Sequence, residues 1–220
     1  MDIAIPLYDD FTALDAIGPY EVLSRIPGAR VRFIGTEARP YVTDNGMLRM
    51  VAEATLDEVP APEIVCVPGG VGTRRELDGP IVDWIRTAHA TSTWTTSVCT
   101  GSLLLGSAGV LEGLEATSHW LELEALRDFG ATPTGRRVVE QGKVMTAAGV
   151  SSGIDMALTL VARIAGDLAS QAIQLVLEYD PQPPFDSGSV EKAPEGVEDL
   201  IRAAVAQREA QALSRTAATS

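Results

Sequence analysis

Short runs of aliphatic and β-branched residues recur along the chain at Ile3–Leu7, Val31–Ile34, Ile64–Val67 and Thr93–Val98, and segments with helical spacing of apolar positions fall between or after several of them. Strand-length apolar runs alternating with helix-period segments predict a mostly parallel α/β sheet. Between the second and third runs, Tyr41–Met50 alternates around Asn45-Gly46, the dipeptide of a tight hairpin, and predicts a small antiparallel flap. Pro19 lacks the N–H that a helix interior needs. It therefore predicts that a helix from Thr12 cannot run on through Pro19, leaving Asp15 in a turn or short first helix while Gly18-Pro19 opens a longer one.

Val67 is followed by Pro68-Gly69-Gly70-Val71-Gly72, a loop whose backbone can approach a ligand closely, and then by a helical pattern over 74–90. The glycines are not a phosphate loop, because neither Gly-Lys-Ser/Thr nor the GxGxxG spacing is present. Further on, the pattern predicts a strand at Glu115–Ser118, a helix over Trp120–Asp128, and a hairpin of Val138–Gln141 with Val144–Ala148 around Gly142-Lys143. Ser151–Asp155 caps an apolar helix reaching Ile164, and a second runs from Asp167 to about Glu178. Residues 1–180 thus read as one α/β domain. Prolines at 181, 183 and 184 make the next stretch extended, a last helix spans about 195–213, and Thr216–Ser220 should fray. We expect residues 181–220 to pack on the same domain.

Composition narrows the function classes. With 220 residues and 45% hydrophobic content the chain has enough apolar material for a sizeable core. No apolar run approaches the ~18 residues of a membrane span, and the N-terminus reads directly as a strand, so a cytoplasmic protein is expected. A balance of 17 basic against 30 acidic residues, net −13, opposes nucleic-acid binding. Two cysteines, Cys66 and Cys99, and two histidines, His89 and His119, form neither a disulfide framework nor a zinc motif. No structural metal is expected.

The candidate chemistry centres on Cys99. A β-branched run ends at Val98 and a small-residue helical run starts at Thr100, with Ser97 and Gly101 two residues to either side. This is the pattern of a nucleophile elbow, which presents one side chain at the carboxyl end of a strand. The helix amides that follow favour an anion there and should lower the thiol pKa. Asp15 after the first strand and Gly69-Gly70-Val71 after the third belong to the same edge of the sheet, where ligands of doubly wound sheets bind. Together they supply a nucleophile, a proton-shuttling carboxyl group and amides for developing charge. Each member has an ordinary structural explanation as well. Cys99 could be a core thiol, Asp15 a helix-start acid that burial would turn into a proton donor, and Thr100 a first-turn residue. His119, at a strand-to-helix boundary on the same side, could approach Cys99 or be a satisfied structural histidine. Cys66 reads as core, His89 as solvated, and Asp155 as a cap or dipole residue.

Leu14–Leu23, Val67–Gly70, Ser97–Ser102 and Ala148–Asp155 together resemble the DJ-1/PfpI superfamily, of the class I glutamine amidotransferase-like fold, over roughly residues 1–180. Within it, Asp15, Cys99-Thr100-Gly101, Thr117–Trp120 and the Asp180–Ser189 tail are most similar to isonitrile hydratases. The resemblance implies a flavodoxin-like parallel sheet sandwiched by helices, and a homodimer without metal or organic cofactor that hydrates a small-molecule isonitrile to a formamide. It makes Cys99 the nucleophile forming a thioimidate, Asp15 the acid/base and Thr100 a catalytic partner, with Gly70, Val71 and His119 binding substrate. Position 100 is Thr instead of His, which weakens a protease-like Cys-His pair, and position 15 is Asp instead of the common Glu; both disfavour the glyoxalase-like and stress-chaperone readings. Related regulators carry a helix-turn-helix unit, for which the 40 residues after Asp180 are too few and too acidic. Cysteine-dependent attack on other small electrophiles, and a redox or ligand sensor using Cys99 as an oxidisable switch, remain the alternatives.

Overall fold

The structure is a computed structural model describing residues 1–218, with side chains described through 207. Two compact units divide the chain at Tyr179. In the first, β1 (Asp2–Pro6) leads through α1 (Ala13–Leu23) to β2 (Arg30–Gly35). The strands β3 (Pro40–Val42) and β4 (Arg49–Val51) then form a separate antiparallel pair. This is the flap expected around Asn45-Gly46, where Gly46 takes a left-handed φ of 73°. A two-residue strand that the pattern did not reveal, β5 (Ala54–Thr55), precedes β6 (Ile64–Val67), α2 (Pro80–Thr91), β7 (Trp94–Val98) and α3 (Gly101–Ser107).

Two further short strands, β8 (Glu115–Ala116) and β9 (Thr132–Pro133), pair in parallel apart from the main sheet. The expected hairpin closes the series as β10 (Val138–Gln141) and β11 (Val144–Ala147), followed by α4 (Ser152–Ala165) and α5 (Asp167–Val176). The main sheet has the order β10-β11-β7-β6-β1-β2-β5, parallel throughout except for the β10–β11 pair. Its central strands are apolar on both sides because both faces are covered: α1 packs against α4, α2 against α3, and both pairs touch β6 and β7. Ile3, Ile5, Val65, Val67, Leu104 and Leu160 are among the side chains sealed in the resulting core.

Three expectations for the first unit are corrected. Helix α1 is continuous, with Pro19 in its interior. Pro19 lies beside Gly153 of α4, whose missing side chain would meet both Pro19 and Val98. Close packing of the two helices thus offsets the roughly 3 kcal/mol that an interior proline costs. The helix expected from 74 starts only at Pro80; Val71–Arg75 is a 3-10 turn, and Gly79 is extended because the residue before proline avoids helical geometry. Trp120–Asp128 is two 3-10 turns, Trp120–Glu122 and Glu124–Phe129, instead of one helix.

The second unit, Asp180–Ser220, has no regular structure until α6 (Val197–Ala218). That helix runs past the expected end near 213 and includes 216–218, where fraying was expected; residues 219–220 lie outside the described residues. Among the described residues no helix is long and apolar enough to cross a membrane.

Candidate active site

The carboxyl ends of β1, β6, β7 and β11 meet at Cys99. The elbow forms as the sequence implies: Cys99 has a left-handed φ of 58°, a strained conformation for a residue with a side chain, and its own N–H is shared between the Ala147 and Ala148 carbonyls at 3.1 and 2.9 Å. Gly101 allows the turn. A Cβ there would lie 2.2 Å from the Val67 carbonyl oxygen, so only glycine lets α3 start this close to β6. The Ser102 and Ser118 hydroxyls both donate to the Cys99 carbonyl, at 3.0 and 3.1 Å, and hold the elbow from behind.

Asp15 sits in the first turn of α1 with no solvent exposure. Its Oδ2 accepts the Gly69 N–H at 3.0 Å, while its buried Oδ1 has no well-aligned hydrogen-bond donor among the described residues. Burial pushes Asp15 up to about 7, against the opposing pull of the Gly69 amide and the Cys99 thiol. The thiol, only 5% exposed, is itself pushed well above its ordinary range, first by burial and then by the Asp15 charge, although the Thr100 and Val150 amides pull the other way. The expectation of a thiol lowered by helix amides is therefore corrected. Those amides are present, but desolvation outweighs them. The resting pair near neutral pH is a thiol beside a carboxyl group that titrates at about 7.

Thr100 lies between this pair and the glycine loop. Its Oγ1 accepts the Gly70 N–H at 2.9 Å and is 2.8 Å from the Thr73 hydroxyl. Gly70 has a φ of 147°, and a Cβ there would strike the backbone of Asp10, Phe11 and Thr12, so the loop is pressed against the β1–α1 connection. The Gly70 amide is thus held by Thr100, and Val71, 69% exposed, is the loop residue open to solvent. His119 caps the Trp120–Glu122 turn by accepting the Leu121 N–H, and its ring abuts Gly149, where a Cβ would fall 2.7 Å from its Cδ2. Burial lowers its pKa and keeps it neutral at neutral pH. It thus stands next to the β11–α4 connection that supplies Val150.

Several contributors were not singled out by sequence reasoning: Val150, Ser102, Ser118, and the hydroxyls of Tyr8 and Thr73. Val150, with a left-handed φ of 37°, follows β11 at the same edge of the sheet, so the crevice rule that found Asp15 also points to it. Away from the site, Cys66 is sealed in the core and pushed up to about 12 by burial. His89 is half-buried and bonded to Thr95 at 2.8 Å instead of solvated. Asp155 pairs with Arg137.

Several known proteins share this architecture. The chain is 40% identical over 203 residues to an isonitrile hydratase of Pseudomonas putida, covering 92% of this chain and 89% of that protein. It is 28% identical over 187 residues to the HTH-type transcriptional regulator GbdR of Pseudomonas aeruginosa, spanning 81% of this chain and half of that protein. A solved ThiJ/PfpI family protein from Pseudomonas syringae superposes with a TM-score of 0.90 at 36% identity, over 94% of this chain and 86% of that one. Residues 1–163 match the DJ-1/PfpI family itself, and with a cysteine elbow in a mostly parallel α/β sheet the chain belongs to that family.

Proposed function

We propose that the protein hydrates organic isonitriles, R–NC, to N-substituted formamides, with Cys99 as nucleophile and Asp15 as the single proton carrier. The observation that carries this reading is the buried pairing of Asp15 with Cys99, two groups that alter each other's protonation, in a chain 40% identical to an isonitrile hydratase.

Ionised Asp15 takes the thiol proton as sulfur attacks the terminal isonitrile carbon, then returns that proton to the same carbon. A C–S and a C–H bond form, giving the thioimidate R–N=CH–S–Cys99, and Asp15 is again ionised. Asp15 next takes a proton from water, whose oxygen adds to the thioimidate carbon, and passes that proton to the nitrogen. Collapse breaks the C–S bond as Asp15 carries the hydroxyl proton of the adduct to the departing sulfur, which releases R–NH–CHO and restores the thiol. The Thr100 and Val150 amides beside the sulfur stabilise the thiolate as it forms and as it leaves. We assign contacts with the R group to Val71, exposed on the glycine loop, and to His119, beside the β11–α4 connection.

Purified wild-type protein and Cys99→Ser, incubated with an alkyl or cyclic isonitrile, test the reading by formamide appearance. Multiple turnovers by wild type and a loss of at least ~1000-fold in the variant are expected. Formamide production by the variant at the wild-type rate would remove Cys99 from the chemistry; no product from wild type, with Cys99 reduced and reactive, would point to another electrophile or to sensing.

A further inference from the structure

The hydroxyls behind Thr100 form a chain whose protons admit one consistent direction. The Tyr8 hydroxyl lies 2.8 Å from the Pro68 carbonyl oxygen and 3.0 Å from Thr73 Oγ1, and Thr73 Oγ1 lies 2.8 Å from Thr100 Oγ1. A carbonyl only accepts, so the single Tyr8 proton is committed to Pro68. Thr73 must then donate to Tyr8, and Thr100 must donate to Thr73. Any other assignment leaves two oxygens within 3.0 Å with no proton between them. Thr100 is also 3.2 Å from the Gly70 carbonyl, but that is the longest of these contacts and the carbonyl already accepts the Thr73 N–H at 3.1 Å. The Gly70 N–H enters the chain at its other end by donating to Thr100. Tyr8 and Thr73 are fully buried, whereas Thr100 is partly accessible.

We infer that Tyr8 and Thr73 are positioning residues that commit the Thr100 proton inward, so that Thr100 meets the crevice as a hydrogen-bond acceptor and orients the water that hydrolyses the thioimidate. The inference rests on the reaction proposed above. It assigns the two half-reactions different needs: attack on the isonitrile uses Cys99 and Asp15, whereas hydrolysis also uses the oxygen of Thr100. With Thr100 unable to donate, Asp15 alone moves protons.

Tyr8→Phe and Thr73→Val provide the test, because each deletes a link and keeps the shape around it. Single-turnover adduct formation should stay within about 2-fold of wild type while kcat falls about 10-fold. Intact-mass spectra of the working variants should show a Cys99 adduct of protein plus isonitrile. Thr73→Ser should restore turnover, and the double variant should lose no more than either single one, since both break one chain. An unchanged kcat, adduct formation slowed as much as turnover, or losses that multiply would overturn the inference. The proton direction has a readout independent of any substrate: in wild type the Thr73 hydroxyl proton should exchange slowly enough to give an NMR signal that Tyr8→Phe abolishes. A Thr73 hydroxyl exchanging as fast as a solvated one would refute the chain. Should wild type turn over no isonitrile, the reaction reading fails, and the hydroxyl signal alone decides the direction of the chain.

Discussion

Asp15 and Cys99 occupy one desolvated space, so the proton count of the pair governs both chemistry and stability. The active form carries one proton between them. With Asp15 titrating at about 7, kcat/KM for an isonitrile should fall about tenfold for each pH unit below 7 and level off above it. A flat profile from pH 5 to 8 would contradict the shared-proton scheme. The same shift makes a stability statement. Folded Asp15 holds its proton to about pH 7, whereas the unfolded residue releases it near its ordinary value of about 4, so the contribution to stability is full below pH 4. It is lost progressively between 4 and 7 and stays lost above 7. Asp15→Asn removes that dependence. Urea unfolding should find the variant gaining on wild type by roughly 4 kcal/mol between pH 4 and pH 8, while it hydrates isonitriles at least 100-fold more slowly. Candidate residues at this scale were legible where the chemistry is local: a cysteine flanked by small residues after an apolar run announces its own elbow. Protonation was not, because the desolvation that raises Cys99 comes from residues far away in sequence.

Elements fix how tightly the site is held. The start of α3 rests on the backbone of β6 through Gly101, with a clearance that admits no side-chain carbon. Gly101→Ala must push α3 off the sheet or twist the elbow. A loss of about 3 kcal/mol or more in denaturant unfolding is expected, with slower alkylation or turnover at Cys99. A neutral Gly101→Ala would mean that the elbow relaxes freely. The strand and hairpin segments were readable because their apolar runs are short and bounded by turn residues, as at Ile64–Val67 and around Gly142-Lys143. Helix α1 was misjudged because local rules price Pro19 by its missing N–H alone, and the compensating contact with α4 is made by residues over 130 positions away. The delayed start of α2 at Pro80, in contrast, obeys a local rule that the helical pattern over 74–90 obscured.

For the whole molecule, the division at Tyr179 separates a unit that contains the entire buried core and all the candidate site residues from one with no buried hydrophobic side chain among those described. A chain ending at Tyr179 should therefore unfold cooperatively on heating and keep a Cys66 that resists thiol reagents until it unfolds. Gradual melting with an immediately reactive Cys66 would show that the first unit depends on the second. The net charge of −13 sets solubility and repels polyanions, and it has no part in the fold. By itself the sequence determined the fold class, the family, the elbow and the meeting of Asp15, Cys99 and the glycine loop at one edge of the sheet, because alternation of strands and helices forces the connections after parallel strands to one side. Only the tertiary structure decided that the thiol rests protonated, that Thr100 holds Gly70, that Val150 reaches the sulfur and that Tyr8 and Thr73 stand behind Thr100. Each of these depends on burial or on a hydrogen bond between residues distant along the chain, and neither is encoded in any local pattern.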